Sequence, residues 1–145
     1  MFELEGRCHC GNIRVRFHTS TAPEEAILRA CQCSFCRKHQ ARAVSDPQGH
    51  VAFEVTHAAD LNRYQFGLRS AEFIVCRRCG VYMGAFLAAD AASSDHGHAT
   101  LMVNVLDAEQ RYGTAAPTVY DAEDMQSRTA RRRRIWTPAT LTLRS

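Results

Sequence analysis

Apolar and polar residues alternate along most of the chain, in short bursts with a period of two. The clearest burst is "NIRVRF" (residues 12–17). Ile13, Val15 and Phe17 fall on one side, and Asn12, Arg14 and Arg16 on the other, as in a half-buried strand. "FELEGRC" (2–8), "AILRACQ" (26–32), "HVAFEV" (50–55), "LNRYQF" (61–66), "AEFIVC" (71–76), "VYMGAFL" (81–87) and "TLMVNV" (100–105) also read as strands, most with β-branched or aromatic residues. Residues 34–40 read as one short helical turn and the polar stretch 122–134 as a terminal helix. "AADAASSDHGHAT" (88–100) reads as a flexible loop. No repeat and no linker divides the sequence. The expectation is a single domain, residues 1–145, mostly β with short helices.

Length and composition narrow this picture only a little. A chain of 145 residues can build one real core. With 46% hydrophobic and 23% charged residues it reads as globular rather than generally disordered. No apolar run approaches the roughly 20 residues that span a bilayer, so no membrane association is expected. "MFELEGRCHC" lacks a basic start followed by an apolar stretch, so no secretory signal is read and the expected location is the cytoplasm.

Cysteine usage changes the picture most. There are seven: Cys8, Cys10, Cys31, Cys33, Cys36, Cys76 and Cys79. An odd number cannot be a complete disulfide framework. In a reducing compartment, clustered cysteines are more often metal ligands or catalytic groups. The C-x-C pairs in "CHCG" and "CQCSFCRK" are strained as disulfides, whereas metal ligation has no such difficulty. "CHCG" and "CRRCG" each end in a glycine that lets the backbone turn tightly around the sulfurs. "CQCSFCRK" has no such glycine. The economical partition is four plus three. Cys8, Cys10, Cys76 and Cys79 form a closed structural zinc site. Cys31, Cys33 and Cys36 form a second zinc site with a coordination position open for water or substrate. His39, three residues after Cys36, could instead be a fourth ligand, which would make both zinc ions structural. A different partition of the ligands, or a set of free thiols, also stays open. The formal net charge of +3 falls to zero once seven thiolates and two zinc ions are included, so it points weakly, if at all, to a nucleic-acid partner.

The ordered set "GRCHCG", "CQCSFCRK", "CRRCGV" and "VNVLD", spanning Gly6 to about Asp107, resembles the glutathione-dependent formaldehyde-activating enzyme family, which also includes centromere-protein-V-like proteins. The resemblance implies a zinc-stabilised β-tent fold. It also implies the same ligand partition: Cys8, Cys10, Cys76 and Cys79 on a structural zinc, and Cys31, Cys33 and Cys36 on a second. The activity implied is that of a carbon–sulfur lyase or synthase-like enzyme, which joins formaldehyde or a related small aldehyde to a thiol. Glutathione is the implied thiol, and the product is S-hydroxymethylglutathione. Arg37 and Lys38, directly after Cys36, are candidates to pair with the glutathione carboxylates. The opposing reading is that they only offset thiolate charge, as Arg7, Arg77 and Arg78 do beside the other cysteines. The rival function is a non-catalytic zinc module, a glutathione carrier or protein-interaction domain. A thiol redox sensor is a third reading.

Other features carry plainer readings. "ARRRRIW" (130–136) reads as a solvated helix face with Trp136 anchoring the tail, in preference to a nucleic-acid contact. His96 and His98 read as loop histidines. Asn104, between two valines, reads as a structural hydrogen-bonding residue. "VYMGAF" reads as a buried strand in which Tyr82 or Phe86 could equally wall a pocket beside Cys79.

Overall fold

A computed structural model describes residues 1–90 and 92–144. In chain order its regular elements are β1 (Phe2–Arg7), β2 (Ile13–Thr19), β3 (Arg29–Cys31), α1 (Ser34–Lys38), β4 (Ala43–Val44), β5 (His50–Val55), β6 (Leu61–Tyr64), β7 (Glu72–Cys76), β8 (Tyr82–Asp90), β9 (Ser93–Met102), β10 (Ala116–Thr118), α2 (Met125–Ile135) and β11 (Thr137–Leu143). The fold is mostly β, one open mixed sheet with two helices, as the alternating pattern predicts.

The sheet forks at β9. One edge of β9 pairs with β8, and β7 and β6 follow beyond it. The other edge is shared: residues 96–99 pair with β11, and Leu101 and Met102 pair with β4. From β11 the sheet continues through β5 and β2 to β1. From β4 it continues through β3 to β10. The cysteine segments sit in different arms: "CHCG" turns between β1 and β2, "CRRCG" between β7 and β8, and "CQCSFC" runs from β3 into α1.

Two apolar clusters lie on the two faces of β7–β9. On one face Ile74, Phe86 and Leu101 meet Val15, Phe17 and Phe53. Burying each large side chain stabilises the fold by about 1.5–3 kcal/mol relative to its exposed state. On the other face Phe73, Ala85, Leu87 and Met102 meet Cys36 and Trp136. A β-bulge decides where Tyr82 belongs. Val75 pairs with Tyr82 while Ile74 pairs with Gly84, so β8 carries an extra residue there. The bulge turns Tyr82 to the same side as Ala85 and Leu87, next to Cys36, an effect typical of bulges beside functional sites.

Several segments differ from the sequence reading. The Ala- and Ser-rich stretch 88–100 forms the end of β8 and most of β9, not a loop; its Ala91 lies outside the described residues. Small residues here serve close strand approach. A Cβ on Gly97 would stand 2.0 Å from the Leu87 carbonyl oxygen. "TLMVNV" is strand only as far as Met102, and residues 103–105 form a 3₁₀ turn. The C-terminal "TPATLTL" forms β11, between β5 and β9. Its Pro138 pairs with β9 just before pairing with β5 begins at Ala139, so only one side of the ladder loses a donor.

Asp46 joins these arms. Its carboxylate accepts from the Thr19 hydroxyl, the Ser20 backbone N–H and the Ser20 hydroxyl, each at 2.8 Å, and from the Gln48 N–H at 2.9 Å. Its own N–H donates to the Thr137 hydroxyl. Burial pushes its pKa up, but these donors outweigh burial and hold it below the usual carboxylate value.

Candidate functional site

The two glycine-ended turns share one construction. The Cys8 N–H donates to the Ile13 carbonyl and the Cys76 N–H to the Val81 carbonyl. The Gly11 and Gly80 N–H groups close back onto the carbonyls of Cys8 and Cys76. Gly11 has φ +84° and Gly80 φ +79°, and an added Cβ would meet nothing within 4 Å at either. The glycine is required by backbone conformation, not by space. The turns face each other across a separation of 66 residues and bring together Cys8, Cys10, Cys76 and Cys79, whose sulfurs all lie within 4.8 Å of one another.

The spacing identifies what this group can do. Cys8 Sγ is 3.7 Å from Cys10 Sγ, and Cys10 Sγ is 3.6 Å from Cys76 Sγ. A disulfide requires about 2.05 Å. Sulfurs about 2.3 Å from a tetrahedral zinc stand roughly 3.8 Å apart. All seven cysteines are free thiols. Cys8 also accepts the Ile13 N–H at 3.3 Å. Burial pushes the Cys8 thiol up to about 12. Burial also opposes ionisation of Cys79, but the Cys10 and Val81 N–H groups and the neighbouring thiols outweigh it and bring Cys79 down to about 6. A cation is what allows four such sulfurs to ionise together.

Cys31, Cys33 and Cys36 form the second group, again with all sulfurs within 4.8 Å. Cys31 ends β3. Cys33 is the N-cap of α1, and its sulfur accepts the Cys36 N–H at 3.4 Å. The i, i+3 spacing of Cys33 and Cys36 puts both sulfurs on one side of the single helical turn. The thiol of Cys36 holds Cys31 down at about 5 by donating to it. Cys36 is itself pushed up, first by that bond and then by burial. The loop after α1 is pinned by Asn104, whose Oδ1 accepts the Arg42 N–H and whose Nδ2 donates to the Gln40 carbonyl. The buried Val103 and Val105 hold Asn104 in place. The structural reading of this asparagine holds, and its effect is to fix the cysteine loop.

This trio lies in the wall of a cleft of about 260 Å³. Phe73, Tyr82, Ala85 and Met102 from β7–β9 form one side. Phe66 and Ser70 come from the loop between β6 and β7, and Tyr120 and Asp121 from the segment after β10. Arg128, Arg131, Arg132 and Trp136 close the cleft from α2 and its C-cap. Burial and the adjacent cysteines raise Tyr82 well above the usual phenol value, so it stays protonated.

His39 stands outside the sulfur group. It is exposed, and its ring lies against Phe35 at 4.6 Å and Tyr82 at 5.4 Å between centroids. Arg37 and Lys38 are exposed on α1 and do not line the cleft. His96 and His98 lie on β9; they are not loop residues. Trp136 is buried, as read from the sequence, but the arginine run beside it is not simply a solvated face. Arg132 is buried, and Arg128 and Arg131 are half-buried. Sequence reasoning misses this wall because a run of arginines with nearby acids has a bland reading, and its helical period has no apolar stripe. No helix among the described residues is long and apolar enough to cross a membrane.

No curated protein sequence matches the chain. A solved crystal structure of a Rhodobacter sphaeroides protein is similar, at 29% identity, with a TM-score of 0.57. The match covers 79% of this chain and 99% of that one. The model of the glutathione-dependent formaldehyde-activating enzyme family matches residues 3–123. With most of its length matched, and with both cysteine groups assembled within that span, the chain belongs to the glutathione-dependent formaldehyde-activating enzyme family.

Proposed function

We propose that the chain adds a small thiol, glutathione by family, to formaldehyde or a related small aldehyde at the Cys31–Cys33–Cys36 cleft. The observation that carries this reading is a trio of sulfurs in the wall of a cleft, with no fourth protein ligand among the described residues. On this reading Cys8, Cys10, Cys76 and Cys79 hold a structural zinc ion, and the trio holds a second. A zinc ion in the trio supplies the positive charge that favours the thiolate form of a substrate thiol.

The chain's own residues do the rest. The trio forms part of the cleft wall. Phe73, Ala85 and Met102 give it an apolar, water-poor side that suits a small carbonyl. The thiolate sulfur attacks the carbonyl carbon. A C–S bond forms, the C=O π pair moves to oxygen, and that oxygen takes up a proton. The product is a hemithioacetal, and atoms balance without oxidant or reductant. On this reading Tyr82, protonated and lining the same cleft, donates a hydrogen bond to the developing alkoxide.

Thiols add to formaldehyde unaided, so the test is kinetic. Native mass spectrometry should count two zinc ions per chain. The initial rate of hemithioacetal formation should exceed the uncatalysed rate under identical thiol and aldehyde concentrations, and Cys33→Ser should return it to background. Glutathione binding without acceleration would replace this reading with a carrier function.

A further inference from the structure

The arginines of the α2 wall are not equivalent. Glu123 is shared by two of them: Arg131 binds it twice, at 2.7 and 2.9 Å, and Arg128 binds it at 3.2 Å. Arg132 has no such partner. It is only 9% exposed, yet no carboxylate lies within 4.0 Å of it among the described residues. One nitrogen donates to the neutral Ser70 hydroxyl at 2.6 Å, and the guanidinium lies over the Trp136 ring at 4.7 Å. Its Nε is buried with no partner at all. Burial lowers its pKa only to about 10, so it is charged at neutral pH. A guanidinium has five N–H donors, and a charged one buried without a carboxylate partner leaves its desolvation uncompensated. This group lines the same cleft as the cysteine trio, on a helix outside the residues that the family model matches.

We propose that Arg132 is the seat for a carboxylate of the molecule that occupies the cleft, so that the chain selects thiols that carry a carboxylate. The proposal rests on the reading of the cleft as a thiol site. It adds a second fixed point: the sulfur is held at the trio, the carboxylate at α2. Two points orient the thiol along the cleft, where one would leave it free to swing. Arg29 also lines the cleft as a second cation, and Asp121 is an acid on its wall. The competing role for Arg132 is to offset thiolate charge at the trio, and that role is blind to the ligand's carboxylates.

The experiment is a cycle of ligands and variants by calorimetry on the metal-loaded protein. The probes are glutathione, its diethyl ester and S-methylglutathione. The variants are Arg132→Gln, Arg132→Lys and Ser70→Ala. Esterification is expected to weaken binding to the wild type by about 10- to 100-fold, the scale of a charge-assisted hydrogen bond. The same change should cost Arg132→Gln less than about threefold. Arg132→Lys keeps the charge but loses the planar fork that stacks on Trp136, and should fall between. Ser70→Ala keeps the guanidinium and should retain the wild-type preference; if it loses that preference as fully as Arg132→Gln, packing and not the charge is responsible and the seat is overturned. An equal ester penalty in wild type and Arg132→Gln also overturns it. S-methylglutathione separates the two readings. If it binds as tightly as glutathione, with a loss in Arg132→Gln, the seat stands and sulfur capture at the trio fails. If glutathione binds far more tightly but Arg132→Gln loses nothing, the trio stands and the seat fails. If no probe binds the wild type, both fall.

Discussion

The two cysteine groups use the same atom type for opposite ends. Cys8, Cys10, Cys76 and Cys79 come from two turns 66 residues apart, so anything that binds them also ties the β1–β2 hairpin to β7–β8. Both turns are closed by left-handed glycines. Cys31, Cys33 and Cys36 come from one segment and tie together nothing distant; their surroundings form a cleft. A ligand set drawn from far apart in sequence acts on the fold. A set drawn from one loop can be left incomplete without the fold depending on it.

The largest expected effect breaks that comparison directly. Cys76→Ser removes one of four converging sulfurs. Metal binding at structural cysteine sites is worth about 10–16 kcal/mol in small zinc domains and is coupled to folding. The variant should lose its cooperative thermal transition or show it many degrees lower. Cys33→Ser should keep a transition within a few degrees of wild type and lose one metal ion per chain. Equal damage from both substitutions would mean the trio is structural too.

Asp46 calibrates these effects, because its partners Thr19, Ser20, Gln48 and Thr137 belong to neither sulfur group. Asp46→Asn should cost about 1–3 kcal/mol near neutral pH, since it weakens a buried acceptor with four donors. The pH dependence follows from the direction of the shift. The folded carboxyl is held below its unfolded value of about 3.9, so its contribution is present above that value and lost as pH falls through the lower, folded one. Urea unfolding at pH 5 and pH 3 should show the gap between wild type and variant narrowing. Acid also protonates the cysteines, but in both proteins alike. A gap that is constant with pH would remove the carboxylate as its cause.

The turns should respond to backbone substitution with opposite signs. Gly80→Ala forces a Cβ into a left-handed conformation and should cost about 1–2 kcal/mol. After the trio, the left-handed position is filled by Gln40, at φ 49°. Gln40→Gly relieves that strain and should stabilise by up to about 1 kcal/mol. Chemical denaturation of the two single variants measures both. A loss at Gln40 would show that its side chain is needed for contacts beyond the turn itself.

Much of this contrast was legible in the sequence. The glycines in "CHCG" and "CRRCG", and their absence from "CQCSFCRK", separate the two sulfur groups that the structure assembles. "NIRVRF" gives β2 its faces through simple alternation. What was hidden depends on partners distant in sequence. "AADAASSDHGHAT" looks like a loop because small residues are poor strand formers alone; between β8 and β11 they are what lets three backbones approach. Tyr82 reaches the cleft through a bulge that no periodicity announces. Arg132 reads as one cation in a charged run, until Trp136 and Ser70 bury it.

The smallest expected effect concerns the cations nearest the trio in sequence. Arg37 and Lys38 follow Cys36 directly, but α1 turns them outwards and neither lines the cleft. An exposed ion pair is worth about 0–1 kcal/mol, and long-range attraction to an anionic ligand is screened at physiological salt. Replacing both with alanine should therefore weaken glutathione binding by no more than about threefold, and added salt should erase even that. The same calorimetric titration, run at low and at physiological ionic strength, decides the matter. A loss above tenfold that survives salt would place the carboxylates at α1, and would move the ligand's polar end from the α2 wall to the helix that carries the cysteines themselves.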